Sequence, residues 1–153
     1  MKRIPYIDDF DQWTEEFEFY ITVRVRFSET DMFGHVNNTV PFIYFEQARI
    51  EFFKAIGVMF DLKNPEHEYI PVVADLQCDF LEQMYFDDEI RVYVKVDRIG
   101  KSSLDIHYMA KRNNETICLA GRSALVKINR KTGKSAPWTE KERERLSRYG
   151  KRA

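Results

Sequence analysis

The sequence predicts an α+β fold: a five-stranded antiparallel sheet wrapped around one long central helix, with an extra C-terminal helix. Three observations predict it. Residues 41–56 read as a helix that is apolar nearly all round, and such a helix is embedded in a protein rather than laid on its surface. Five stretches carry strand patterning, one before that helix and four after it. The separators between the last four are short and turn-like, so these strands meander antiparallel.

Composition sets outer limits. The 153 residues suit a single domain over 1–153, with a core from about 18 to 130. Hydrophobic residues at 44% and charged residues at 32% are globular, not disordered. A net charge of −1 offers no field for nucleic acid, so no nucleic-acid partner is expected. No window approaches the ~18 apolar residues of a membrane span. The start has basic residues but no apolar run behind them, unlike a signal peptide. Cys78 and Cys118 lack metal-ligand spacing and read as reduced core thiols, which points to a cytoplasmic protein.

Residues 8–18 hold six acids and no base, with Phe10, Trp13 and Phe17 at three- and four-residue spacing. They read as a short helix or a docked arm, with an acidic solvated leader pinned by its aromatics as the plainest version. Phe19 to Phe27 alternates, with Ile21, Val23, Val25 and Phe27 expected inward. Ser28 to Asn38 is a polar turn. Pro41 suits the first turn of the helix and Gly57 its C-terminal cap. Within the helix, Ala55, Ala48, Phe52, Phe45, Ile56, Phe42 and Phe53 cover one arc. Arg49 projects into that arc with Glu46 three residues earlier, which predicts an ion pair inside the helix. Val58 to Ile70 reads as a loop. The later strands are expected at Val72 to Met84, Glu89 to Asp97, Ser103 to Lys111 and Thr116 to Asn129. In the third of these, Asp105, His107 and Met109 would face outward. Pro137 to about Tyr149 reads as a helix, and residues 141–153 carry six bases against two acids. That tail is solvated, or meets a phosphate-rich ligand or the acidic leader.

Chemistry concentrates in the turn. Asp31, Gly34, His35, Asn37 and Asn38 fall within eight residues, just before a helix N-terminus, where unpaired N–H groups favour negative charge. Read without further context, Asp31 is a turn or capping residue and the two asparagines are turn chemistry. His67 and His107 have no partners in sequence. There is no H-x-x-x-H, cysteine pair, nucleophile elbow or glycine-rich phosphate loop, so no metal and no cofactor is expected.

The run F-S-E-T-D-M-F-G-H-V-N-N-T-V-P-F-I-Y-F-E-Q-A-R resembles the signature of hotdog-fold acyl-CoA thioesterases of the 4-hydroxybenzoyl-CoA thioesterase type. The order of strand, helix and four strands agrees, over about residues 18 to 130. The resemblance implies hydrolysis of an acyl-CoA thioester without metal, in a homodimer or homotetramer whose sheets join edge to edge and whose site lies between subunits. By position, Asp31 would be the nucleophile or the general base for water. Backbone N–H groups near Asn38 would form the oxyanion hole. Gly34 would let the backbone approach the acyl group, and His35 and Asn37 would line the site or brace the turn. Glu29 departs from the aspartate of many members and adds an acid that would tune Asp31 upward. Lysines and arginines between Arg98 and Lys134 are the expected contacts for the CoA phosphates.

Two other functions fit such a chain. One is a non-catalytic acyl-thioester binding or regulatory module on the same fold, which the complete motif with Asp31 disfavours. The other is a hotdog dehydratase, for which His35 with Glu46 is a poor match.

Overall fold

Helix α2 (Val40–Ile56) is the element around which the sheet is built, and it ends at Gly57 as its sequence predicts. The structure is a computed structural model describing residues 3–58 and 64–148. Before α2 lie helix α1 (Phe10–Glu15), strand β1 (Phe19–Arg24) and a 3-10 turn (Phe27–Glu29). After it come β2 (Tyr69–Phe80), β3 (Glu89–Ile99), β4 (Ser103–Arg112), β5 (Thr116–Asn129) and helix α3 (Glu140–Ser147). The strands pair in the order β1-β3-β4-β5-β2, every pair antiparallel, leaving β1 and β2 as edges.

One sheet face packs on α2. Phe45, Ala48 and Phe52 are fully buried there against Ile90, Val92, Val94, Ile106 and Tyr108. Each aromatic so buried contributes about 1.5–3 kcal/mol. The Phe45 ring lies flat on Tyr108, centroids 4.5 Å apart. Gly121 makes this approach possible: a Cβ there would sit 2.5 Å from the Phe45 ring. Ala55, placed in the buried arc by the sequence reading, is exposed.

The opposite face is also covered, which alternation along single strands does not predict. The N-terminal arm lays Ile4, Trp13 and Phe17 on Tyr93, Met109 and Ala120. His107 and Met109, expected outward, are therefore buried. The polar groups under the arm find partners. Trp13 Nε1–H donates to His107 Nδ1 at 2.9 Å, and Lys95 Nζ donates to the Trp13 carbonyl at 3.1 Å. The same ammonium lies 3.5 Å from Glu16 Oε1 and 4.7 Å from the Phe17 ring centroid. Asp8, Asp9, Asp11 and Glu15 stay exposed, so the acidic leader is a docked helix with a solvated outer side.

Three boundaries differ from expectation. β1 stops at Arg24, and Phe27 is 76% exposed rather than inward. Glu29 folds its carboxylate onto the Arg26 N–H at 2.7 Å, which tightens the chain into a turn and rotates Phe27 out against Phe86. β2 begins at Tyr69 and ends at Phe80, with a register shift between Val73 and Asp75 that bends it. Beyond it, Leu81 and Glu82 both donate to the Cys118 carbonyl, which ends the ladder. The C-terminal helix is shorter than expected. Two of its bases dock instead of trailing: Arg143 donates to the Gly100 carbonyl and Arg145 to that of Gly57, while Lys127 Nζ on β5 meets Glu142 of the helix at 2.7 Å. The middle of the expected Val58–Ile70 loop and the end of the basic tail lie outside the described residues.

Candidate active site

The polar turn between β1 and α2 closes on itself. Thr30 bridges to Val36, and His35 to Tyr85 after β2. The Asp31 N–H donates to the His35 carbonyl at 2.7 Å, and the Asn37 N–H to the Glu29 carbonyl at 2.8 Å. Gly34 sits at φ 80°, a left-handed conformation that costs glycine little. Asp31 is exposed at the head of this loop. Its Oδ1 accepts two backbone N–H groups, from Phe33 at 2.8 Å and from His35 at 3.2 Å. A carboxylate held at one oxygen by two donors keeps a single orientation and leaves its other oxygen for chemistry.

The five residues singled out in the sequence thus share one loop with separable placements. His35 is half-buried, its ring edge-on to Tyr85 at 5.3 Å, and it braces the loop through its main chain. Asn37 closes a turn just ahead of α2: its Oδ1 accepts from the Thr39 N–H and hydroxyl, both at 3.2 Å, while Thr39 is the N-cap residue. Asn38 is exposed at the helix entrance, and its N–H has no acceptor among the described residues.

Glu29 serves as a brace for the turn. Its Oε1 takes the Arg26 N–H and also the Tyr44 hydroxyl at 3.0 Å. Burial first, and then that hydrogen bond to Glu29, push the Tyr44 phenol above its ordinary range. Tyr44 and Tyr85 are the site neighbours that the sequence reading missed. Tyr44 was legible as the aromatic one turn inside the helix; Tyr85 required the long-range bridge. The ion pair expected within α2 does not form. Arg49 turns toward the sheet and donates to the Tyr108 hydroxyl at 3.1 Å, while Glu46 points to solvent. Tyr108 in turn shares a hydrogen bond with Ser123 at 2.7 Å.

Around the loop, Met32, Phe33 and Tyr85 are exposed apolar surface. Among the described residues, no group of three His, Cys, Asp or Glu is placed to hold a metal ion. No described helix is long and apolar enough to cross a membrane.

A family model described as the thioesterase-like superfamily matches residues 25–146, most of the chain and the whole of this loop. The chain belongs to the thioesterase-like superfamily. It is a thioester hydrolase of hotdog architecture, and its general reaction is acyl-thioester hydrolysis. An uncharacterized protein, YsmA, of Bacillus subtilis (strain 168) is 44% identical over 147 residues, covering 95% of this chain and 97% of its own. A thioesterase from Thermus thermophilus, solved with coenzyme A and Zn, is 34% identical at a TM-score of 0.73, covering 88% of this chain and 93% of its own. A predicted thioesterase from Bacillus stearothermophilus is 32% identical at a TM-score of 0.77, covering 88% and 98%.

Proposed function

We propose that this thioesterase acts on acyl-CoA, with Asp31 as the catalytic carboxylate. The observation that carries the proposal is the orientation of Asp31: exposed, pinned at Oδ1 by two N–H groups, in the loop that leads into α2. The coenzyme A bound to the Thermus thermophilus thioesterase supports CoA as the carrier. As a base, Asp31 takes a proton from water while the water oxygen bonds to the thioester carbonyl carbon. The carbonyl oxygen becomes an oxyanion, received by N–H groups at the entrance to α2 near Asn38. Collapse breaks the C–S bond, releasing the acid and the thiolate of CoA, which takes up a proton. As a nucleophile, Asp31 would instead form a mixed anhydride that water then opens. Label found in the Asp31 carboxyl group after a single turnover in ¹⁸O-water would identify the anhydride route, with water opening the anhydride at the Asp31 carbon. Gly34 sets the loop conformation, and His35 and Asn37 hold it.

Asp31→Asn keeps the size and the acceptor for the loop N–H groups while removing the charge. It is expected to fold and bind acyl-CoA normally but to lose about 100-fold or more in kcat. A folded variant keeping more than about a tenth of wild-type kcat would remove Asp31 from the chemistry.

The phosphates of CoA would be met by exposed bases. Within Arg98 to Lys134, Arg122 is held by Asp75 and Asp105, and Lys127 by Glu142. Arg98, Lys101, Arg130, Lys131 and Lys134 remain exposed. KM for acyl-CoA is expected to rise with ionic strength. An unchanged KM between low and high salt rules out an electrostatic contribution. The working form is a homodimer or homotetramer, since an open edge at β2 otherwise leaves a 12-residue strand unpaired.

A further inference from the structure

Glu29 sits where the two limbs of the Asp31 loop meet. It lies two residues before Asp31 on the outgoing limb, and its carbonyl accepts the Asn37 N–H of the returning limb at 2.8 Å. The residue after Asn37 is Asn38, at the entrance to α2. The half-buried Glu29 carboxylate makes a third connection: its Oε1 accepts the Arg26 N–H at 2.7 Å and the Tyr44 hydroxyl at 3.0 Å. One residue therefore joins the limb with the carboxylate, the limb with the oxyanion donors and the body of the helix.

Tyr44 is the fixed end of that connection. It is 4% exposed and belongs to the core that seats α2 on the sheet, with Val25, Val36 and Met84. Burial first, and then Glu29, hold its phenol above the ordinary range, so the hydroxyl remains a donor at neutral pH. The Val36 N–H on the Met84 carbonyl and the bridge from His35 to Tyr85 steady the returning limb. The bond from Tyr44 to Glu29 grips the outgoing limb, which carries Asp31. Hydrolysis needs the carboxylate on one side of the thioester carbon and the donors on its oxygen. A misplacement of about 1 Å between such groups costs roughly 100-fold in rate.

We propose that Tyr44 and Glu29 are positioning residues for the hydrolysis: their hydrogen bond fixes the Asp31 carboxylate relative to the N–H groups at the entrance to α2. This rests on the role given to Asp31 under Proposed function and adds what sets its place. Neither residue takes a proton or bonds to the acyl group in this role.

The test is a double-mutant cycle in the full chain, using whichever of acetyl-CoA, benzoyl-CoA and palmitoyl-CoA the wild type turns over fastest. Tyr44→Phe keeps the buried ring and removes the hydroxyl. Its kcat is expected to fall about tenfold with KM within about twofold of wild type, because substrate still binds while the reacting groups are misplaced. Added to Asp31→Asn, the same substitution is expected to cost less than about threefold, since the spacing has no value once the carboxylate is gone. Glu29→Gln keeps an acceptor oxygen for both donors and Glu29→Ala keeps none, so kcat of the first is expected to exceed that of the second by at least about fivefold.

A merely structural tyrosine would lower Tm while leaving kcat of the folded enzyme within about twofold of wild type, and that result overturns the proposal. So does a loss confined to KM. A full loss of about tenfold on top of Asp31→Asn also overturns it, by making Tyr44 independent of the carboxylate. If Asp31→Asn by itself keeps more than about a tenth of kcat, the reading of Asp31 fails and the positioning role falls with it. An impaired Asp31→Asn beside an unimpaired Tyr44→Phe removes the positioning role alone.

Discussion

The two faces of the sheet are buried by different means. Beneath α2 the contacts are almost wholly apolar, ring on ring and branched aliphatic on ring, with Arg49, Tyr108 and Ser123 as the polar exception. Beneath the N-terminal arm the cover is thin, and its contacts alternate between aromatic packing and paired polar groups: Trp13 with His107, Lys95 with Glu16. The first face resists change because removed volume is not refilled. The second depends on directional bonds that lose their value when one partner is altered. Apolar packing tolerates small displacement, whereas a buried donor or acceptor without its partner retains the full cost of leaving water.

Substitutions on the two faces separate these modes. Phe52→Ala, in the middle of the α2 face, is expected to cost about 3–5 kcal/mol through lost burial and the cavity left behind, read as a shift in urea midpoint. A cost near that of an exposed site would mean that the sheet collapses around the gap. Trp13→Phe keeps most of the ring but removes the N–H that satisfies His107 Nδ1. The expected cost is about 1–3 kcal/mol, and the loss should persist in Trp13→Phe even when packing is unchanged by near-UV circular dichroism. If stability is equal to wild type, the arm unfolds independently of the sheet and the two faces are not parts of one cooperative unit.

The smallest effect concerns the docked C-terminal helix. Burial acts to raise the Glu142 carboxyl, but Lys127 and the Thr139 N–H outweigh it and hold the group below its ordinary range. A depressed carboxyl contributes stability above its unfolded pKa and loses it as pH falls through the folded value. The Tm difference between wild type and Glu142→Gln is therefore expected to be largest near neutral pH and to close in acid. A difference independent of pH would place the contribution of Glu142 in packing. Because Glu142 is partly solvated, the whole effect is small beside those above.

Much of the Asp31 loop was legible because its determinants are local. Asp31 accepting N–H groups two and four residues on, Asn37 closing a turn onto Thr39 two residues on, and Gly34 in a left-handed turn are all interactions within one short stretch. Their residue types announce them. The burial of Arg49 was visible too, but not its direction. Glu46 sits at a spacing that permits a pair, yet the guanidinium reaches a tyrosine 59 positions away in sequence.

The linear sequence alone determined the helix from 41 to 56, its cap at Gly57, the cores of all five strands and the loop that carries Asp31. Each follows from periodicity or turn chemistry spanning a few residues. Only the tertiary structure decided which side of each strand is buried. β4 reads as half-exposed by alternation, but an arm nearly a hundred residues earlier covers its second face and turns His107 and Met109 into interior groups. It also decided that Glu29 braces Tyr44, that Phe27 turns outward, and that β2 stays an open edge. The physical reason is the same in each case. Backbone geometry and local hydrogen bonds are set by neighbours in sequence, whereas removal from water depends on whatever the rest of the chain brings to that surface.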